Sequence, residues 1–284
     1  KLIHGGVYLM ATLRELKKRL GSVKTTGQLA GAMKTVSSAK FSRISSLSAN
    51  FKKYSAVCDV VSKNGSSYGV NPSPDAPEER KAFVVLSGNR GLCGGYNAEL
   101  FSLLASELKE CEIPYHIIPC GKTAVNYCKE KKIPVLHEFV FPDIPSSDDS
   151  RALSDYISEI WEKGSVTEVV FIYQRQVNTL TRVPEVIKIL PADPPEEFAE
   201  VETLFIPDKK TVDGILSKFA FETKIRSLVL ECASGVQAAT LLAMRSAYEN
   251  AEKTTLALET EINRKRQSDV TSSVIETSPI IEEN

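Results

Sequence analysis

Residues 12–61 and 213–278 contain no proline. Proline removes a backbone donor and clashes with the preceding turn, so proline-free stretches of this length can run as unbroken helices. At about 1.5 Å per residue each would extend roughly 70–100 Å, further than a globule of this size is wide. Two such helices at opposite ends of one chain predict an intramolecular antiparallel hairpin. Rows of small residues point the same way. Gly27, Gly31, Thr35 and Ala39 recur every fourth residue in the first stretch, as do Ala239, Ala243, Ala247 and Ala251 in the second. Residues at that spacing share a face, and small side chains there let two backbones approach. A glycine inside a helix costs about 1 kcal/mol relative to alanine, so Gly27 and Gly31 need a packing reason. The alternative is two separate helical domains, each packed on itself.

The first helix is not a uniform zipper. Leu13, Leu16, Leu20 and Val23 follow a 3–4–3 spacing, as do Ile44, Leu47, Phe51, Tyr54, Cys58 and Val61, but the two runs are out of phase. A homodimeric coiled coil keeps one phase over several heptads. This helix instead changes its buried face along its length, as a shaft with changing surroundings does. Its charge is one-sided: residues 12–54 hold ten Lys/Arg and a single acid, Glu15, whereas residues 214–284 hold eight Lys/Arg and ten acids. A basic helix reads as a solvated face, a nucleic-acid face or a match for an acidic protein partner. No aromatics are interleaved with Arg14, Lys17, Lys18, Lys24, Lys34 and Lys40, and no nucleic-acid motif is present, so nucleic acid ranks last.

Between the ends lies an alternation of strands and helices. Strands are expected at Ala82–Ser87, Tyr115–Cys120, Val135–Phe141, Val166–Gln174 and Val183–Leu190, and helices at Asn97–Glu110, Lys122–Lys131 and Asp148–Lys163. This order predicts an α/β, Rossmann-like, mostly parallel sheet covered on both faces. The expected division is an N-terminal coiled-coil helix at 10–63, a linker at 64–80, the α/β domain at 81–191, a linker at 192–212 and a C-terminal coiled-coil helix at 213–284. Residues 1–9, ahead of Met10, read as a start-site extension and are too short for a secretory signal. No apolar run approaches the ~18–20 residues of a membrane span.

The stretch L-S-G-N-R-G-L-C-G-G-Y-N at 86–97 places four glycines between a strand and a helix. That is where a phosphate-binding loop would lie. A Walker loop needs G-x-x-x-x-G-K-[ST], whose lysine reaches the phosphates. The only G-K-T in the chain is Gly121-Lys122-Thr123, and the glycine required five positions earlier is His116. The dinucleotide pattern G-x-G-x-x-G fails at Arg90. The loop is therefore read as a tight turn, with glycines allowing positive φ and close packing. The six cysteines form no C-x-x-C pair and the three histidines are scattered, so no metal site is expected, and the cysteines read as buried residues of a reducing compartment. No catalytic or cofactor-binding residue is indicated. An α/β nucleotide-binding enzyme with helical oligomerisation arms remains the alternative function.

Gly88-Asn89-Arg90-Gly91-Leu92-Cys93-Gly94-Gly95-Tyr96-Asn97 closely resembles the characteristic loop of the γ subunits of F-type ATP synthases. The resemblance covers nearly the whole chain from Met10. M-A-T-L-R-E-L-K-K-R-L-G-S-V-K-T-T-G-Q-L-A-G-A-M-K-T-V-S-S-A-K (10–40) is similar to the family's N-terminal helix. Q-A-A-T-L-L-A-M-R-S-A-Y-E-N-A (237–251) is similar to its C-terminal helix, and N-R-K-R-Q-S-D-V-T (263–271) to its N-x-x-R-Q-x-x-I-T segment. The resemblance implies an asymmetric antiparallel coiled coil of the two terminal helices beside a Rossmann-like domain. It implies a rotor within a hexamer of three α and three β subunits (3:3:1), standing with the ε subunit on the membrane c-ring. Proton flow turns ring and shaft, and the shaft drives each β site through different nucleotide affinities while making no bond itself. A peripheral place on the cytoplasmic face of a bacterial membrane is expected, with the mitochondrial matrix side as the other option.

Matched residue by residue, the resemblance assigns Gly31, Met33, Lys34, Thr240, Arg266 and Gln267 to the α/β-subunit interface. It assigns Leu204, Phe205, Pro207 and Asp208 to the ε and c-ring side, and Gly88 with residues 90–97 to a structural loop. Three positions depart from the pattern. Gly31 stands where Lys or Arg is usual, Thr240 where Arg is usual, and Val270-Thr271-Ser272-Ser273 lacks the usual acid and the Gly-Ala that follows. These departures remove polar contacts expected at the rotor–stator interface. No insert with paired regulatory cysteines is present.

Overall fold

The computed structural model describes residues 12–63, 79–178, 181–191 and 208–277. Most of the expected linkers 64–80 and 192–212 lies outside the described residues (64–78 and 192–207, with Leu204, Phe205 and Pro207), as do residues 1–11, 179–180 and 278–284. The elements in chain order are α1 (Leu13–Lys63), β1 (Lys81–Leu86), α2 (Tyr96–Glu110), β2 (Tyr115–Cys120), α3 (Lys122–Lys131), α4 (Ser147–Glu162), β3 (Glu168–Gln176), β4 (Arg182–Leu190) and α5 (Lys209–Thr277). The chain divides into two units, residues 1–35 with 244–284, and residues 36–243.

Both long helices begin at side-chain caps. Glu15 N–H donates to Thr12 Oγ1 at 3.3 Å while Thr12 N–H donates to Glu15 Oε2 at 2.7 Å, a reciprocal capping box. This bonding holds the Glu15 carboxyl below its usual range. At α5, Thr211 N–H donates to Asp208 Oδ1 at 2.9 Å and its hydroxyl to Oδ2 at 2.8 Å. Asp208 is thus an N-cap.

In the smaller unit α1 and α5 pair antiparallel. Lys24 meets Glu259 at 2.7 Å, and a Cβ built on Gly27 would stand 3.0 Å from Ala251 Cβ. At Gly31 the neighbour is the Tyr248 ring, not Ala247. The expected small-residue row therefore holds only at its first two positions. Thr35 and Ala39 are exposed. Rows of every fourth residue incline to the helix axis, so a long row leaves a seam that runs along it.

In the larger unit the helices also run antiparallel, with Ser45 Oγ 3.4 Å from Ser234 Oγ and the Tyr54 ring edge-on to Phe219 at 5.7 Å. Here α5 lies on a four-stranded sheet of order β2-β1-β3-β4. β2, β1 and β3 are parallel, and β4 pairs antiparallel with β3. The sheet is therefore mixed. The close spacing from Gln176 to Arg182 explains this: a hairpin joins β3 to β4, whereas a parallel partner needs a crossover. Alternation sorts the strands cleanly. Phe83, Val85, Val170 and Ile172 pack with Leu100 and Leu104 of α2 and Ala124 and Cys128 of α3. Ala82, Val84, Val169 and Phe171 pack with Leu153 and Ile157 of α4 and with Phe221, Ile225, Leu228 and Val229 of α5.

The expected strand at Val135–Phe141 is not one. It touches β2 through two isolated bridges, Ile117 with Val135 and Cys120 with Phe139. The bridges lie three positions apart on β2 and four on the other side, and the extra residue breaks the ladder as a bulge does. The side chains of His137 and Phe139 instead stack around Tyr156 of α4.

One part of α5 corrects the sequence reading. Within Gly214–Ile275 lies a window of mean hydropathy 1.4, long and apolar enough by composition to cross a membrane, and 61% of it is buried inside the protein. Its apolar character is accounted for by the sheet it covers. Phe171→Ala, which empties the centre of that layer, should cost about 3–5 kcal/mol, read as a lower urea midpoint of the full chain. An unchanged midpoint would show that this layer does not hold the unit together.

Candidate functional site

The glycine-rich loop follows β1 and joins it to α2. Gly94 takes φ +60° and Leu92 φ +62°. Gly88 has another role, because a Cβ there would stand 3.1 Å from Val236 Cγ1 on α5. Its hydrogen is what lets α5 approach. Asn97 ties the loop to its helix, accepting from Gly88 N–H at 3.3 Å and donating to Arg90 O at 3.4 Å.

A phosphate-binding loop works because the first amides of a helix are left without partners. At α3, which opens on Gly121-Lys122-Thr123, the protein takes those amides itself. Lys122 N–H donates to Asn89 Oδ1 at 3.2 Å, Thr123 N–H to Gly88 O at 3.2 Å and Ala124 N–H to Ser87 Oγ at 3.0 Å. The Thr123 hydroxyl donates to Gly88 O at 2.6 Å. Residues 87–89 therefore serve as the cap of a helix 33 residues further along. At α2, a Cβ on Gly95 would meet Glu99 Oε1 at 2.8 Å, so a carboxylate sits at that helix's N-terminal end, where an anion would be repelled.

In sheets of this kind ligands bind beyond the carboxyl ends of the strands, where the chain order switches direction. Here the switch lies between β1 and β3; side chains of α2 and α5 pack there, and a small cavity of about 40 Å³ remains beside it, lined by Ser87, Gly88, Gly121, Phe141, Cys232 and Val236. The Tyr96 hydroxyl donates to Cys232 Sγ at 3.4 Å, and the Tyr96 ring lies 3.2 Å from where a Cβ on Gly235 of α5 would be. The Arg182 guanidinium stands 5.8 Å from the centre of the Tyr96 ring. Buried Gln174 donates to Tyr96 O and to Glu99 Oε2, each at 3.1 Å. Burial pushes the Cys232 thiol up to about 11. Burial likewise raises Cys120 and Tyr96 well above their usual ranges.

The residues assigned by resemblance to subunit interfaces fall on different surfaces. Gly31, Met33 and Lys34 lie on α1 and are partly buried. Lys34 Nζ stands 4.7 Å from the centre of the Tyr248 ring. Arg266 and Gln267 are exposed on α5, and Arg266 borders a crevice with Leu13, Asp269 and Val270. Thr240 lies in the larger unit, where its hydroxyl donates to Val236 O at 2.8 Å. Sequence reasoning missed Tyr248, Ser87 and Asn89. The last two are cap-forming residue types, but the helix they cap is distant in sequence.

The family model for ATP synthase matches residues 12–278. The ATP synthase γ chain of Pelotomaculum thermopropionicum is 30% identical over 275 residues, covering 94% of this chain and 97% of that one. That of Streptococcus thermophilus is 30% identical over 292 residues with the same coverage. The chain belongs to the γ-chain family of F-type ATP synthases, the central-stalk subunit. The rotor of the Euglena gracilis mitochondrial ATP synthase is similar in fold, with a TM-score of 0.65 at 14% identity over 91% of this chain and 98% of that one. The central stalk and c-ring structure from Tetrahymena thermophila gives a TM-score of 0.61 at 17% identity over 77% and 99%.

Two outcomes follow for the loop and its surroundings. Gly121 takes φ +105°, and a Cβ there would lie 2.4 Å from Ser87 O. Gly121→Ala should therefore cost about 3 kcal/mol or more, against a small change for Gly91→Ala, where the space is open. Equal midpoints in urea would remove the capping role of residues 87–89. Cys232 should show a pH signature. Its folded value near 11 lies above the ordinary 9.0, so its contribution is complete below pH 9 and lost as pH rises towards 11. Denaturation at stepped pH should show stability falling across that window, with less of the fall in Cys232→Ala.

Proposed function

We propose that the chain is the non-catalytic rotor of an F-type ATP synthase, coupling rotation of a membrane c-ring to ATP synthesis or hydrolysis at α/β sites. Its partners are then the α and β subunits (3:3:1), ε and the c-ring, at the cytoplasmic face of a bacterial membrane. The observation that carries the non-catalytic part is the filled loop. The amides opening α3 bond to Ser87, Gly88 and Asn89, and Tyr96 occupies the crevice where a nucleotide would enter. Coupling without chemistry requires a body that contacts successive states of its neighbours differently. An asymmetric helix pair, basic along one strand and mixed along the other, supports that role. Positive charge on α1 suits acidic loops of surrounding subunits, where complementarity favours register over raw affinity.

The sites follow the same reading. Gly31, Met33, Lys34, Arg266 and Gln267 face the α and β subunits, with Thr240 further along α5. Asp208, with Leu204, Phe205 and Pro207, belongs to the ε and ring side, where its capping of α5 gives it a structural task as well.

The test mixes the full chain with α and β subunits of a related bacterium, isolates the assembly and measures ATP hydrolysis. A complex whose ATPase rises severalfold with this chain supports the rotor reading. Failure to enter the hexamer rejects it. Saturable ATP binding to the isolated chain would instead favour the nucleotide-binding enzyme.

A further inference from the structure

Gly31 offers a flat seat on α1, and Tyr248 occupies it. A Cβ at position 31 would stand 3.2 Å from Tyr248 Cδ2 and 3.3 Å from Cε2, so the ring rests on the α1 backbone. Three residues along the same face, Lys34 carries its ammonium to 4.7 Å from the ring centre. That distance is within the range of a cation–π contact. Interaction with Glu252, one turn along α5, raises the pKa of the Tyr248 hydroxyl. The Glu249 carboxyl lies below its usual range, chiefly through its bond to Arg245, and feels Lys34 as well. Ring, lysine and both acids thus form one set on the side of the helix pair.

We infer that Tyr248 is a positioning residue: seated on Gly31, it fixes where Lys34 presents its charge, and a side chain at position 31 makes the ring give way by a few tenths of an ångström. On this account Gly31 is not a lost contact. The positive charge at this level comes from Lys34, posed by an aromatic ring. An arginine at 31 adds a second cation but shifts the ring that holds the first. The consequence for the assembled complex rests on the rotor reading; the packing relation does not.

The test is a double-mutant cycle with two readouts. Thermal unfolding of the full chain is compared for Gly31→Arg, Tyr248→Ala, the double variant and Tyr248→Phe. ATPase of the complex with α and β subunits is measured for Tyr248→Ala and Tyr248→Phe, alone and with Lys34→Gln. Gly31→Arg should lower the unfolding midpoint by a few degrees, and the double variant should regain most of the loss. Tyr248→Phe, which keeps the ring, should match the wild type in both readouts. Tyr248→Ala should reduce ATPase severalfold alone and add nothing to Lys34→Gln. Additive shifts in midpoint, or an unchanged effect of Tyr248→Ala in the Lys34→Gln background, would overturn the inference. If the wild-type chain does not assemble, the rotor reading fails and the unfolding cycle alone decides the inference.

Discussion

The sheet has one face that only α5 can complete. β1 is buried along almost its whole length, which requires cover on both sides. α2 and α3 supply one layer. The other is built from α4 and from Phe221, Ile225, Leu228, Val229, Cys232 and Ala239 of α5. The large ones, Phe221, Ile225, Leu228 and Val229, contribute about 1.5–3 kcal/mol each when fully buried. The helix that would be shaft in a rotor is thus also core in the larger unit. Its apolar segment belongs to a packing layer, and Gly235 and Val236 press closely on Tyr96 and Gly88.

The smaller unit is held differently. Its buried apolar side chains among the described residues are Leu16, Ala30, Met244, Ala251 and Leu258. The seam is slim, and close backbone approach at Gly27 does what bulk does elsewhere. The Lys24–Glu259 pair is about half exposed and adds little, since exposed pairs contribute at most ~1 kcal/mol. A pair of helices with a slim seam leaves most of both surfaces outward, which fits a body whose partners lie around it.

Much of this is legible in the amino-acid sequence. The absence of proline marks both long helices, and alternation marks β1, β2 and β3 and the helices between them. The resemblance in residues 88–97 points to the family. What escapes the sequence depends on register or distance. The Val135–Phe141 segment has strand composition, but one extra residue against β2 spoils its ladder. β4 has the same apolar pattern in either direction, and only the short connection from Gln176 betrays the hairpin. The small-residue rows are visible, yet helix geometry carries Thr35 and Ala39 out of the seam. The capping of α3 by Ser87 and Asn89 joins residues 33 or more positions apart, which no local pattern reveals. Gly31 is the clearest case. From the sequence it reads as a missing side chain, and only the position of the Tyr248 ring shows what the space is for.

The central claim is that the chain transmits motion and performs no chemistry. It is tested most directly by fixing an α/β hexamer containing this chain to a surface, attaching a bead to the chain near residue 110 through an introduced cysteine, and adding ATP. The account predicts one-directional rotation in thirds of a turn that stops when ATP is withdrawn. ATP hydrolysis at an undiminished rate with the bead stationary would contradict it.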